Sequence, residues 1–115
     1  MNPFPQRGCL YWVAIPGEPE AKQRPALVVS VNARNRSADD VLVIPASTTL
    51  RPAPTHVRLR KGTGGLPRKF VLKCEQITTI QKRLVSSSAL GGPLADAVLG
   101  EVERGVLHAL GVPIP

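Results

Sequence analysis

Six short runs of apolar and β-branched residues follow one another along this chain, each bounded by segments that cannot continue a strand. The runs are Cys9 to Ile15, Pro25 to Val31, Val41 to Ala46, His56 to Arg60, Phe70 to Cys74 and Ile77 to Ile80, and they read as β-strands. Between them stand Pro16-Gly17-Glu18-Pro19-Glu20, Asn32 to Asp40, Arg51-Pro52-Ala53-Pro54 and Gly62-Thr63-Gly64-Gly65-Leu66-Pro67. In these segments proline presets φ, glycine admits positive φ, and Asn and Asp bond their own backbone, all of which favour turns. No helical pattern separates the strands, which argues against βαβ units, and their even spacing points to a closed or half-closed small barrel.

One helix is expected near the end. Pro93 suits a first helical position after Gly91-Gly92, Asp96 stands in the first turn where the helix dipole favours a negative charge, and Leu94, Val98, Val102, Val106 and Leu110 recur every four residues before Gly111 ends the run. Such a stripe should pack on the barrel. Gly100 and Gly105 weaken the helix unless they permit close approach to a neighbouring surface. The expected fold class is therefore mainly β, a small barrel with a C-terminal α-helix. At 115 residues there is room for one core, so residues 1–115 are read as a single domain.

The apolar runs at Leu10 to Ile15 and Ala26 to Val29 fall far below the roughly 18 residues of a membrane span, and the first residues lack a signal-peptide pattern. A cytoplasmic protein without membrane contact is expected. Cys9 and Cys74 each sit inside a strand-like run, where a buried reduced thiol is the usual outcome. Two thiols and two distant histidines do not show zinc-ligand spacing, so neither a metal nor a cofactor is expected.

Fifteen Lys and Arg against eight Asp and Glu give a net charge of +7, which favours a polyanionic partner such as nucleic acid. The distribution sharpens this. From His56 to Lys73 the basic residues Arg58, Arg60, Lys61, Arg68, Lys69 and Lys73 occur with no acidic one among them. A stretch of one sign repels itself unless an anion occupies it, so the choice lies between a phosphate-binding surface and a solvated basic loop. His56 opens a strand beside this stretch and is a candidate for touching substrate, whereas His108 lies in the helix and reads as structural.

No nucleophile motif, phosphate loop or paired carboxylate is present, and Gly62-Thr63-Gly64-Gly65 reads as a hairpin turn because no Lys-Ser/Thr and no helix follow it. Polar residues do stand at the ends of the most apolar strands. Arg24 precedes Pro25 at the mouth of the second strand, and Ser47-Thr48-Thr49 leaves the third. If those strands are neighbours, a two-pronged guanidinium and two or three hydroxyls converge on one spot, a set suited to phosphate. If they are not, the same residues are an exposed arginine and an ordinary loop.

The order of the motifs resembles the MazF/PemK family of toxin endoribonucleases. The resemblance rests on Arg7-Gly8-Cys9-Leu10-Tyr11-Trp12, Arg24-Pro25-Ala26-Leu27-Val28-Val29-Ser30, Val43-Ile44-Pro45-Ala46-Ser47-Thr48, Pro54-Thr55-His56-Val57 and Glu75-Gln76-Ile77-Thr78-Thr79-Ile80, together with the helix ending in Leu110-Gly111. It implies an SH3-like barrel with an appended helix, a homodimer, and cleavage of single-stranded RNA at short sequences. It further implies a cognate antitoxin whose acidic tail covers the RNA groove, the toxin–antitoxin complex binding operator DNA. By position, Arg24 matches the family's catalytic arginine, Ser47 the hydroxyl residue after the third strand, and Glu20 more loosely the acidic residue of the first loop. Where the family often has a basic residue and then an aspartate after Glu-Gln, this chain has Thr78 and Gln81.

Metal-free RNA cleavage can use the substrate's own 2′-hydroxyl, leaving a 2′,3′-cyclic phosphate and a 5′-hydroxyl, so that the enzyme positions, neutralises and moves protons. Arg24 is read as stabilising the charge on the phosphoryl oxygens, Ser47 and Thr48 as holding the phosphate in line, and Glu20 and His56 as candidates for the base. His56, Arg58, Arg60, Lys61, Arg68 and Lys69 are the candidate RNA contacts, and the Gly62 to Pro67 hairpin and the loop between the first two strands are expected to frame the groove. The alternatives are a non-catalytic toxin of the same barrel type, like CcdB, that binds DNA gyrase, and an RNA-binding barrel without activity.

Overall fold

The computed structural model describes residues 3–18, 22–49 and 51–114. Six strands appear in the order expected: β1 (Leu10–Ala14), β2 (Gln23–Val28), β3 (Asp40–Ser47), β4 (His56–Leu59), β5 (Phe70–Lys73) and β6 (Thr78–Gln81). All pairings among them are antiparallel, in the order β1-β2-β3-β5-β4, with β6 on the first half of β3. The long strand β3 explains this shape. Its start pairs with β6 and its end with β5, so one bent strand carries the chain from one sheet into the other. The sheet is not closed, which selects the half-closed form of the expected closed or half-closed barrel. Among the described residues, β1 meets the chain beyond β6 through the isolated bridge Val13↔Val85 and through the Ser86 and Leu90 amides, which donate to the Trp12 and Leu10 carbonyls.

Side-chain alternation sorts the core into two clusters. Cys9, Tyr11, Val13, Ala26, Val28, Val41, Val43 and Ile80 fill the inside of the half-barrel. Leu10, Leu27, Ile44, Leu59, Phe70 and Leu72 lie on the opposite face, between the two sheet halves and under the C-terminal helix. β1, β2 and β3 thus carry buried residues on both faces, with Trp12 of β1 the exposed exception, which is why their sequences read as continuous apolar runs. Cys9 and Cys74 are buried free thiols, and burial together with the neighbouring Glu75 charge pushes the Cys74 thiol up to about 11.

The helix at Asp96–Leu110, α2, begins later than expected because Ala95 is its cap, and Pro93 and Leu94 belong to an extended approach. Leu94 is buried there all the same, with its amide donating to the Gly8 carbonyl at 2.8 Å. Within α2 the four-residue repeat drifts by roughly 40° per step, so the stripe turns off the core and Leu110 ends up 69% exposed while Val102 is buried. Gly105 makes the close approach anticipated for it: a Cβ there would sit 2.8 Å from the Cys74 sulfur. His108 is exposed rather than structural. A short helix, α1 (Asn32–Ser37), replaces part of the expected turn segment, anchored by fully buried Asn35, whose amide donates to the Ser30 carbonyl at 2.9 Å. Among the described residues no helix is long and apolar enough to cross a membrane.

Candidate active site

The strand pairing decides whether Arg24 and Ser47 meet. β2 and β3 are neighbours, with Ala26 opposite Pro45 and Leu27 opposite Ile44, and continuing that register by two residues brings Arg24 level with Ser47. Arg24 lies within β2, opposite Val13 of β1, so it stands on a paired strand rather than on a loose loop. Both residues line one cavity of about 540 Å³, with Ile15, Glu18 and Lys22 from the β1–β2 connection, Thr48 and Thr49 beyond β3, Lys73 at the end of β5, and Gln76.

Within this cavity Glu18 holds Arg24. The Arg24 Nε lies 3.1 Å from each Glu18 carboxylate oxygen, and both side chains are about one-third exposed. Among the described residues no hydrogen bond engages the two terminal nitrogens of Arg24, which leaves a two-pronged donor facing the cavity. The Ser47 hydroxyl oxygen accepts from the Thr49 amide at 3.1 Å, an arrangement that orients the hydroxyl and leaves its hydrogen to donate elsewhere. Glu20 lies outside the described residues. Among the described residues Glu18, six residues before Arg24, reaches the guanidinium, and sequence spacing alone had not singled it out.

The candidate RNA contacts divide by register. Ser47 faces Val71, which faces Arg58, so Arg58 is on the same face as Ser47 two strands away, about 10 Å by the usual strand spacing. His56 opposes Lys73 on the next rung. Arg60, Lys61, Arg68 and Lys69 are exposed around the β4–β5 hairpin tip and do not line the cavity. That hairpin does not line the cavity; its Gly64 and Gly65 pack against Leu10, Leu94 and the Leu90 carbonyl. Lys22, Lys73 and Gln76 are cavity residues not included in the sequence-based site.

His56 is tied down on both ring nitrogens. Nδ1 is 2.7 Å from the Arg51 carbonyl and Nε2 is 3.3 Å from a Glu75 oxygen, whose other oxygen accepts the Thr55 hydroxyl at 2.7 Å. Burial raises the Glu75 carboxyl, but hydrogen bonds from the Thr55 hydroxyl, from its own backbone and from His56 outweigh it and leave the group below its ordinary value. A carboxyl depressed in the folded state adds stability above its unfolded value and loses it as pH falls through the folded value. Glu75→Gln is therefore expected to lower the melting temperature near neutral pH, with the gap from the parent narrowing as pH falls below about 4, which thermal denaturation at a series of pH values will measure.

A family model described as PemK-like, MazF-like toxin of type II toxin-antitoxin system matches residues 6–110. The chain belongs to that family. Among its MazF/PemK relatives, a Mycobacterium bovis protein named endoribonuclease MazF2 is 30% identical over 110 residues, covering 90% of this chain and 95% of the relative. A mycobacterial endoribonuclease solved in complex with its cognate antitoxin aligns with a TM-score of 0.80 at 30% identity, covering 96% of this chain and 99% of that one. The MazE–MazF structure from Deinococcus radiodurans shares the fold, with a TM-score of 0.79 at 24% identity over 97% of this chain and 100% of that one. Relatives named as endoribonucleases favour the nuclease over the gyrase-binding alternative.

Proposed function

We propose that this protein is the toxin of a type II toxin–antitoxin pair and cleaves single-stranded RNA endonucleolytically, without a metal ion, so blocking translation. The observation that carries the reading is the convergence of Arg24, held at Nε by Glu18, with the Ser47 hydroxyl in one cavity that Lys22 and Lys73 also line. Three cations and two or three hydroxyls around one opening suit a phosphodiester.

The substrate's 2′-hydroxyl oxygen attacks phosphorus, its proton passes to a base, and the 5′-oxygen of the next nucleotide leaves with a proton. The products are a 2′,3′-cyclic phosphate and a 5′-hydroxyl. Arg24 donates its free prongs to the phosphoryl oxygens as negative charge builds there, and its permanent charge rules it out as the base. Ser47 and Thr48 hold the phosphate in line by hydrogen bonds. Glu18 is the one carboxylate lining the cavity among the described residues, and it takes two tasks: orienting Arg24 and accepting the 2′-hydroxyl proton.

Outside the cavity, Arg58 on the adjoining face and Arg60, Lys61, Arg68 and Lys69 beyond it give neighbouring phosphates a positive path, with His56 bordering it. The partner solved with the mycobacterial relative supports a cognate antitoxin for this chain too. An acidic tail of that antitoxin lying on the cationic groove, a homodimeric toxin, and operator binding by the complex complete the reading, in the cytoplasm and as one domain over residues 1–115. Incubation of the purified protein with a long single-stranded RNA in EDTA is expected to give discrete cuts with 5′-hydroxyl ends, mapped by end-selective sequencing. Intact RNA after that incubation would sink the proposal.

A further inference from the structure

β1 and the chain beyond β6 are joined at two points and stand apart between them. The Ser86 amide donates to the Trp12 carbonyl at 2.9 Å and the Leu90 amide to the Leu10 carbonyl at 2.8 Å, whereas Ser87, Ser88 and Ala89 make no backbone hydrogen bond to β1 among the described residues. Tyr11 lies between the two anchored positions of β1, and with Ser87, Ser88 and Ala89 it lines a cavity of about 500 Å³. This cavity shares no residue with the one around Arg24. We infer that it is a binding site for a small aromatic anion, a ring carrying a carboxylate or sulfonate, with Lys82 and Tyr11 holding the charged group.

The apolar part of the lining suits a flat ring. Phe4, Pro5, Val85, Ala89 and Pro93 supply aromatic, pyrrolidine and aliphatic surface, and the volume falls in the range of small-molecule sites. Phe4 is fixed in place before any ligand arrives. The Arg36 guanidinium carbon lies 5.4 Å from the centroid of its ring, and the Gln6 side-chain amide donates to its carbonyl at 3.0 Å. A bare inorganic phosphate would leave this apolar surface uncovered, so the ligand carries a ring as well as a charge.

The polar part of the lining donates and is positive. Lys82 is its cation, and among the described residues no carboxylate lines the cavity to compete for it. The Lys82 Nζ donates to the Arg36 carbonyl at 3.3 Å, which uses one of its three hydrogens. Tyr11 adds a second donor. Its side chain is 4% exposed, its hydroxyl oxygen accepts the Gln6 amide at 2.8 Å, and no described group accepts the hydroxyl hydrogen. Burial holds that hydroxyl above its ordinary value, so it stays a donor near neutral pH. A buried donor without an acceptor is costly, and an anionic oxygen that also meets the ammonium satisfies both groups at once. The exposed Ser87 and Ser88 hydroxyls add further hydrogen-bonding groups.

The test titrates the full chain with 8-anilinonaphthalene-1-sulfonate, following probe fluorescence and the rate at which N-ethylmaleimide alkylates Cys9, whose side chain lines the cavity. One saturable site with a Kd on the order of 10–100 μM is expected, with a melting temperature that rises with probe concentration. At ten times Kd, Cys9 should react about tenfold more slowly, as mass action requires of an occupied cavity. Lys82→Ala and Tyr11→Phe should each weaken the sulfonate about three- to tenfold. The uncharged 1-anilinonaphthalene should bind the parent and Lys82→Ala within about twofold of each other, which separates loss of the charge contact from loss of the fold. Tyr11→Phe also gives up the Gln6 contact, so if that variant does not fold, Lys82→Ala decides. No saturable binding, unprotected Cys9 at saturating probe, or parental affinity in Lys82→Ala would each overturn the site. The measurement uses no RNA, so its failure leaves the nuclease reading standing.

Discussion

Arg24→Ala is expected to reduce RNA cleavage by about 10²- to 10³-fold, the effect of deleting a donor aimed at developing negative charge. The fold should survive the change. The Arg24 side chain is 31% exposed, and its ion pair joins the β1–β2 connection to β2 rather than any part of the core. Thermal melting and far-UV circular dichroism of the variant should therefore match the parent within a few degrees, and a large loss of activity with an unchanged melt locates the loss in the chemistry. Arg24→Lys refines the point. It keeps the charge but replaces the planar fork with one ammonium, so one substituent must serve both the Glu18 carboxylate and the phosphate. Cleavage by the lysine variant should fall at least tenfold below the parent and stay above the alanine variant. A variant without Arg24 that cuts RNA at the parental rate would remove the guanidinium from the mechanism.

The same arginine shows how far the sequence alone reaches. Six strands were legible because their apolar runs are bounded by Pro, Gly and Asn/Asp clusters, and each falls within three residues of its observed limits. The meeting of Arg24 and Ser47 was legible only conditionally, since it depends on β2 pairing with β3, a contact between residues 15 to 19 positions apart. Helix α1 was not legible. Its six residues are polar apart from Ala33, and the one that points inward is Asn35, so no apolar period marks it. The role of Glu18 was hidden for a different reason: its carboxylate reaches Arg24 by folding back from the β1–β2 connection, and sequence spacing carries no information on that geometry. Lys73 and Gln76 enter the cavity because β3 bends between two sheet halves, a property of the tertiary fold. The basic stretch from Arg58 to Lys73 shows the reverse case, in which a charge pattern is clear in sequence but the register scatters its members over a cavity, a strand face and a hairpin tip.

Gly65→Ala is expected to be the most destabilising single substitution discussed here, and Gly62→Ala supplies its control. The two glycines have nearly the same backbone, with φ of 91° at Gly62 and 90° at Gly65, so both substitutions carry the cost of a left-handed conformation, about 1 kcal/mol. Their surroundings differ. A Cβ at Gly62 meets nothing within 4 Å, whereas at Gly65 it would lie 2.2 Å from the Leu90 carbonyl oxygen and 2.8 Å from the Gly91 amide nitrogen. Those are backbone atoms, and rotating a side chain cannot relieve the overlap. Nor can the 90–94 segment simply withdraw, because Leu90 and Leu94 donate their amides to the Leu10 and Gly8 carbonyls, both at 2.8 Å, and Leu94 is part of the core under α2. Relief must then come from lifting the β4–β5 hairpin, which strips cover from Leu10 and Leu94 and disturbs the strand that ends in Lys73 at the cavity. A loss of about 3 kcal/mol or more follows for Gly65→Ala, a fall in melting temperature on the order of 10–20 °C, against a few degrees for Gly62→Ala. Equal melting temperatures for the two variants would mean that the hairpin tip does not rest on the Leu90 backbone, and the packing that joins the β4–β5 half of the sheet to the approach to α2 would have to be redrawn.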